Sequence, residues 1–377
     1  MKTVKEINDK IKSGKAIILT AEEVKEMGRK YEPEEVARKV DVVTTATFGP
    51  MCSSGMFVNF GHYNPPIRME EIYLNDVPVY AGIAAVDAYI GASSESRFDR
   101  TYGGAHIIQS LIEGENIHLV ARGRGTDCYP TRDVDMMINK DTINEMIMFN
   151  PRNAYQNYAV AVNTTAKTRY TYMGTLLPSL GNANYSTSGE ISPLLNDPLL
   201  RTIGIGTRIF LGGTQGYVSW NGTQCNTVKP RNEHNIPLSN AATLAVIGDA
   251  KEMTGKYIQA AYYENYGVSI FIGLGVPIPV LDQSVARAVL VHNRDIETTV
   301  VDYGIPDHPI LGKVNYEQLQ SGEIILMGKK IKTAIMSSIP KAREISDVLK
   351  GLILDGKFLL SEMVNPLPEK SDVKTLN

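Results

Sequence analysis

The pattern of apolar and polar positions opens helical and then turns to strands. Thr3-Val4-Lys5-Glu6 and Thr20-Ala21-Glu22-Glu23 both fit a capping box, in which hydroxyl and carboxylate satisfy free amides at a helix start. Pro33 opens a third helical stretch through Val40. Val42 to Thr45 is an apolar, β-branched run leading to a turn at Gly49-Pro50. Tyr73 to Tyr80 reads as a hairpin about Asn75-Asp76, and Ile107, Ile108, Leu111 and Ile112 recur at helical spacing behind Tyr102-Gly103-Gly104. Asn116 to Ala121 is a strand, and Thr142-Ile143-Asn144-Glu145 predicts a helix cap, with the helix ending near Asn150.

Tyr155 to Met173 alternates and predicts two strands. Ser179 to Pro198 reads as a long loop of Gly, Asn, Ser and Pro, of the kind that is functional or disordered. Strands are expected in Arg201–Phe210 and Tyr217–Trp220, and buried ones in Ala241–Gly248 and Val268–Val280. A hairpin turning near Gly328 and a helix over Ser346–Leu354 follow, and the tail past Pro366 is expected to fray. The whole implies an α/β fold, a mixed sheet with helices. It forms one large domain over residues 1–365, with the active site between two lobes as the alternative arrangement, and a polar tail over 366–377.

With 377 residues, 43% hydrophobic and 21% charged, the chain can bury an ample core. A net charge of −3 offers no footprint for nucleic acid or an anionic membrane. There is no signal peptide at the start and no apolar run near the ~18 residues of a membrane span. Three scattered cysteines are no disulfide framework, so a cytoplasmic location with reduced thiols is expected. Nineteen tyrosines against one tryptophan hint at a polar cleft with aromatic walls.

Candidate chemistry centres on Ala46-Thr47-Phe48-Gly49-Pro50-Met51-Cys52-Ser53-Ser54-Gly55, a strand, a glycine turn and a cysteine. If the turn opens onto a helix N-terminus, backbone amides lower the thiol pKa. Gly125-Thr126-Asp127-Cys128 repeats the arrangement, with Arg122, Arg124 and Arg132 nearby to favour a thiolate. Cys225 sits in an ordinary polar turn and reads as structural. His62 and His106 are proton-shuttle candidates; Arg97 and Arg100 are candidates to grip a substrate carboxylate in a fork. Arg124 joins them as a substrate-binding candidate. No metal site is expected, because ligand spacings are absent and the Asp133–Asp141 stretch lacks a calcium loop's glycine and final glutamate. Gly204-Ile205-Gly206 lacks the third glycine of a dinucleotide fingerprint.

These residues resemble the homocysteine biosynthesis family, the L-aspartate semialdehyde sulfurtransferases found largely in anaerobes. The resemblance runs from the Cys52 stretch through Tyr102-Gly103-Gly104-Ala105-His106, Gly125 to Pro130, Asn150 to Tyr158, Ser192 to Pro198, Gly204 to Gly213 and Gly275 to Pro279. It implies incorporation of sulfide sulfur into aspartate semialdehyde to form homocysteine, with two essential cysteines that fall on Cys52 and Cys128. Many relatives carry nucleotide-sensing CBS modules, for which there is no room before Asn377, so such regulation is not expected here. No tightly bound cofactor is expected. Aldehyde plus sulfide gives a thioaldehyde that needs two electrons to become a thiol. A disulfide-forming cysteine pair and an outside donor, a separate ferredoxin-like iron–sulfur protein, would supply them. A homo-oligomer is also expected. The competing reading is a persulfide carrier that hands sulfur to another protein. Direct disulfide chemistry between residues 76 positions apart demands that the fold bring their Cα atoms within ~7 Å.

Overall fold

The computed structural model describes residues 1–374 and 376. Its fold is mixed α/β, as expected. Both capping boxes form: Thr3 Oγ1 accepts from the Glu6 amide at 3.1 Å and Thr20 Oγ1 from the Glu23 amide at 3.2 Å, starting helices Val4–Lys12 and Ala21–Gly28. Pro33 begins the third helix, Pro33–Lys39. These helices cover one edge of the largest sheet, where Ile18–Thr20 pairs in parallel with Val42–Pro50.

From that edge the largest sheet runs Ile18–Thr20, Val42–Pro50, Gly267–Pro279, Arg208–Leu211, Thr214–Asn221, Leu244–Asp249, Glu145–Asn153, Gly55–Asn59 and Asp87–Gly91. Ile258–Tyr263 pairs separately with Gly267–Pro279. Strands Val42–Pro50 and Gly55–Asn59 are consecutive in the chain, yet five strands lie between them in the sheet. Six inter-strand spacings of a flat sheet would cover about 29 Å. The chain from Pro50 to Gly55 can span no more than about 18 Å. The sheet therefore curls until its two arms approach, and the segment holding Cys52 crosses the remaining gap.

Helix Gly104–Glu113 fills that gap, packing on Ile258–Tyr263 and Gly267–Pro279 from one arm and on Gly55–Asn59 and Asp87–Gly91 from the other. Its entry is very close: the Ala105 amide donates to Ala92 O at 2.9 Å, and a Cβ on Gly104 would stand 1.9 Å from Gly91 O. Only glycine fits there.

A six-stranded sheet (Ile310–Asn315, Glu297–Asp302, Val160–Val162, Ala183–Tyr185, Lys329–Ile335, Glu323–Leu326) encloses its own core around Val160, Val300 and Tyr316. A four-stranded sheet (Val77–Val79, Glu71–Leu74, Ile117–Arg122, Asp133–Ile138) carries the Cys128 loop. The hairpin at Asn75-Asp76 forms, with φ of 44° and 64° at the two turn residues. The hairpin at Gly328 forms as well, and the C-terminal helix is Ile339–Leu354.

Four expectations fail for physical reasons. The strand before Cys52 runs on through Gly49 and Pro50, whose partners are Ile272 and Phe271, and the turn follows it. Thr142 caps no helix: its hydroxyl accepts from the Asn139 amide upstream at 2.9 Å and closes a turn. Glu145–Asn153 is then a central strand, with Met146 and Met148 buried and neighbours on both sides. Ser179–Pro198 is largely buried and hydrogen-bonded. It contributes strand Ala183–Tyr185, and the Lys25 ammonium donates to Glu190 O and Asn196 Oδ1, both at 3.1 Å. The tail is docked: Asn365–Pro366 pairs with Gly204–Ile205, Leu367 is buried, and Ser371 Oγ donates to Cys225 O at 2.8 Å. Residues 375 and 377 of that tail lie outside the described residues.

Candidate active site

The Cys52 turn is held by both arms of the curled sheet. The Met51 amide donates to Ile270 O at 2.7 Å, and Ser54 O accepts from the Ala92 amide at 2.9 Å. Ser54 Oγ donates back to Met51 O at 2.6 Å, closing the turn on itself. Gly55 leaves the turn as a strand, not a helix, and a side chain there would collide with the Tyr89 ring and Ile90 O. The turn therefore does not open onto a helix of its own, which corrects the expected source of thiolate stabilisation.

Cys52 instead lines a small pocket. Pro50, Ser269, Tyr263 and Tyr266 come from the largest sheet and its Tyr263–Gly267 turn, and Tyr155, Tyr158, Tyr172, Met173 and Ser186 complete the lining. Five tyrosines make this the aromatic-walled cleft that the composition hinted at. Burial pushes the Cys52 thiol up from its ordinary value. Opposing that are the Arg152 charge, the amides of Cys52 and Ser53, and the Tyr266 hydroxyl. The resting group at neutral pH is therefore the thiol, with thiolate-stabilising partners already in place.

Arg152 does not line the pocket, but its charge acts on Cys52 and on Tyr155. Its Nε donates to Thr223 Oγ1 at 3.1 Å and its Nη1 to Gln224 Oε1 at 2.8 Å, which fixes the guanidinium. Burial raises the phenols of Tyr155, to about 12, and of Tyr158 and Tyr263 further, so all three carry their protons at neutral pH. Tyr158 Oη donates to Tyr172 Oη at 3.1 Å, and the Tyr172 and Tyr303 hydroxyls lie 2.7 Å apart. Tyr263 Oη and Ser269 Oγ are buried without a protein partner.

Cys128 does not line this pocket. It is exposed in the loop between Ile117–Arg122 and Asp133–Ile138. That loop packs on residues 62–68: Thr131 Oγ1 donates to Pro65 O at 2.7 Å, and the His62 and Tyr129 rings stack with centroids 6.5 Å apart. Residues 62–68 follow the far end of Gly55–Asn59, the strand that leaves the Cys52 turn. Five residues of strand cover about 16 Å, against the ~7 Å Cα separation a disulfide tolerates. Both thiols are free, and this conformation does not juxtapose them.

The other candidates are engaged elsewhere. His62 belongs to the Cys128 loop. Arg97 pairs with Asp76 at 2.7 Å and covers the Tyr73 ring, Arg100 pairs with Glu95 at 2.9 Å, and Arg124 with Glu70 at 2.8 Å. His106 Nδ1 accepts from the Gly103 amide at 3.2 Å and its ring stacks on Tyr102, a cap for helix Gly104–Glu113. None of them lines the Cys52 pocket. Cys225 is buried beneath the docked tail, consistent with a structural thiol. The residues that do line it, or charge it, carry no individual signal in the sequence, although Asn150 to Tyr158 contains Arg152, Tyr155 and Tyr158 in one run.

The pocket thus combines a half-buried thiol with protonated phenols, and the charge of Arg152 acts on that thiol. The family model described as homocysteine biosynthesis enzyme, sulfur-incorporation, matches residues 16–360, and the chain belongs to that family. A protein of Methanocaldococcus jannaschii named L-aspartate semialdehyde sulfurtransferase is 48% identical over 385 residues, covering 97% of this chain and 73% of that protein. One of the same name from Methanosarcina acetivorans is 45% identical, covering 100% and 74%. An uncharacterised protein of Methanothermobacter thermautotrophicus is 30% identical over 334 residues, covering 85% and 72%. No solved structure matches. Among the described residues no helix is long and apolar enough to cross a membrane.

Proposed function

We propose that this chain incorporates sulfide sulfur into L-aspartate semialdehyde to form L-homocysteine, with the chemistry at Cys52. The observation that carries the proposal is the Cys52 thiol in a tyrosine-walled pocket, in a chain whose curated relatives bear that activity in their names. Overall, aldehyde, hydrogen sulfide, two electrons and two protons give the thiol and one water. In the route we favour, the Cys52 sulfur adds to the carbonyl carbon and gives a thiohemiacetal. Sulfide replaces its hydroxyl, which leaves as water. Cys52 then departs, releasing a thioaldehyde that takes up two electrons and two protons. Covalent capture splits one hard step into easier ones. Arg152 supplies the positive charge that favours the thiolate and a substrate carboxylate alike.

In this proposal the electrons come from outside, from a dithiol or a ferredoxin-like iron–sulfur protein, and the exposure of Cys128 supports a role for it in meeting such a donor. For Cys128 to act on the Cys52 adduct, its loop must move or a second copy of the chain must present it. Homocysteine formation by wild type, Cys52→Ala and Cys128→Ala tests the proposal; full activity in both variants overturns it. The exposure of Cys128 also favours a second reading, a persulfide carrier. Protein that becomes persulfidated but never consumes the aldehyde would support that one instead.

A further inference from the structure

Two hydroxyls of the Cys52 pocket lack a protein partner: Tyr263 Oη and Ser269 Oγ. Ser269 is 0% exposed. A buried hydroxyl left unpaired is costly, so such atoms are satisfied by whatever enters the site. Their placement is not accidental to the hairpin. Tyr263 stands opposite Gly267, and Ser269 opposite Ala261, in the Ile258–Tyr263 and Gly267–Pro279 pairing. The two pairs are two residues apart, so both side chains project from one face as diagonal neighbours. Their cross-strand partners, a glycine and an alanine, leave that face open. The same strand holds the Cys52 turn through the hydrogen bond from the Met51 amide to Ile270 O, one residue beyond Ser269.

We infer that Tyr263 and Ser269 are the donor pair that receives the carbonyl oxygen of the aldehyde when the Cys52 sulfur adds to it. The inference deepens the sulfur-transfer proposal and rests on it. In the addition the S–C bond forms and the C=O π pair moves onto oxygen. The proton lost by sulfur ends on that oxygen, and nothing is oxidised or reduced. Donors fixed in advance at the developing oxyanion lower the barrier without reorganising. Burial keeps the Tyr263 phenol protonated, and a Cys52 thiolate strengthens that tendency, so it donates rather than repels. A Ser hydroxyl has no competing charge state. Neither His62 nor any other histidine lines the pocket to take this role.

The test compares wild type, Tyr263→Phe, Ser269→Ala and the double variant on three readouts. The first is kcat and KM for aspartate semialdehyde with sulfide. The second is thermal midpoint without substrate. The third is protection of Cys52 from iodoacetamide by aspartate semialdehyde alone. Each single variant is expected to lose about 10²-fold in kcat, the order found for an oxyanion donor, with KM changed little. The midpoint should stay or rise, because an unpaired hydroxyl has been removed, and aldehyde protection should be lost while alkylation without aldehyde is unchanged. Unchanged kcat, or a loss of kcat that tracks a lowered midpoint, overturns the donor pair. If wild type makes no homocysteine but the aldehyde still protects Cys52 in a manner that needs both hydroxyls, the sulfur-transfer reading falls and the donor pair stands. No protection in wild type removes the donor pair.

Discussion

Arg152 and Cys52, a hundred residues apart in sequence, are brought close enough by the fold for the guanidinium to favour the thiolate that burial disfavours. The coupling depends on strand order, since Arg152 lies at the end of Glu145–Asn153, which pairs with the strand leaving the Cys52 turn. Alkylation of Cys52 should therefore show an inflection above that of an ordinary cysteine. Arg152→Gln should move it higher still and slow alkylation at pH 7. An unchanged profile would mean that the charge does not act on the thiol.

The raised thiol also has a stability consequence. Because the folded pKa of Cys52 lies above its unfolded value, its contribution is fully present below the unfolded pKa and lost as pH rises through the folded one. Cys52→Ser should flatten the alkaline fall of the unfolding free energy. Denaturant titrations of both proteins from neutral to alkaline pH measure it, and parallel curves would contradict the shift.

Gly104 is where the closing helix meets the backbone of Asp87–Gly91. Gly104→Ala sets a methyl against Gly91 O with nothing flexible to yield. Its cost should be at least about 2 kcal/mol of stability, the scale of overpacking, read by urea denaturation. A neutral effect would show that the sheet's arms are less tightly joined than described.

Removing residues 367–377 should expose Cys225. The tail buries Leu367 and places Ser371 on Cys225 O, so truncation should cost about 2–4 kcal/mol. It should also make Cys225 reactive toward iodoacetamide, which peptide mapping detects. A Cys225 that stays inert would mean the tail does not cover it.

Much of the local structure was legible in the sequence. The capping boxes of Thr3 and Thr20, the Asn75-Asp76 turn, the buried glycine-containing strands and the special turn at Cys52 are all signalled by neighbours within a few residues. Thr142 shows the limit, since the same four-residue pattern serves a turn when the following positions alternate and a sheet is waiting on both sides. The site was half legible. Cys52 announced itself, but Arg152, Tyr263 and Ser269 acquire meaning only once a curled sheet brings three distant segments together. His62, Arg97, Arg100, His106 and Arg124 carried the right chemistry, and tertiary neighbours had already claimed them.

Cys128 poses the remaining relationship. If a second copy presents it, mixing Cys52→Ala with Cys128→Ala protein under subunit exchange should restore part of the activity that each lacks alone. If the loop moves within one chain, the mixture should stay inactive. Replacing His62 by Gln loosens the loop's stacking on Tyr129 and should alter Cys128 alkylation while leaving Cys52 alkylation as it was.

In the proposed route the aldehyde and the sulfur meet at Cys52. Its most direct test is peptide-resolved mass spectrometry of the protein after aspartate semialdehyde and sulfide are added, with adducts trapped by rapid quenching. A mass increase is expected on the Cys52 peptide and not in Cys52→Ala. Adducts confined to Cys128 or Cys225, with Cys52 unmodified during turnover, would contradict it.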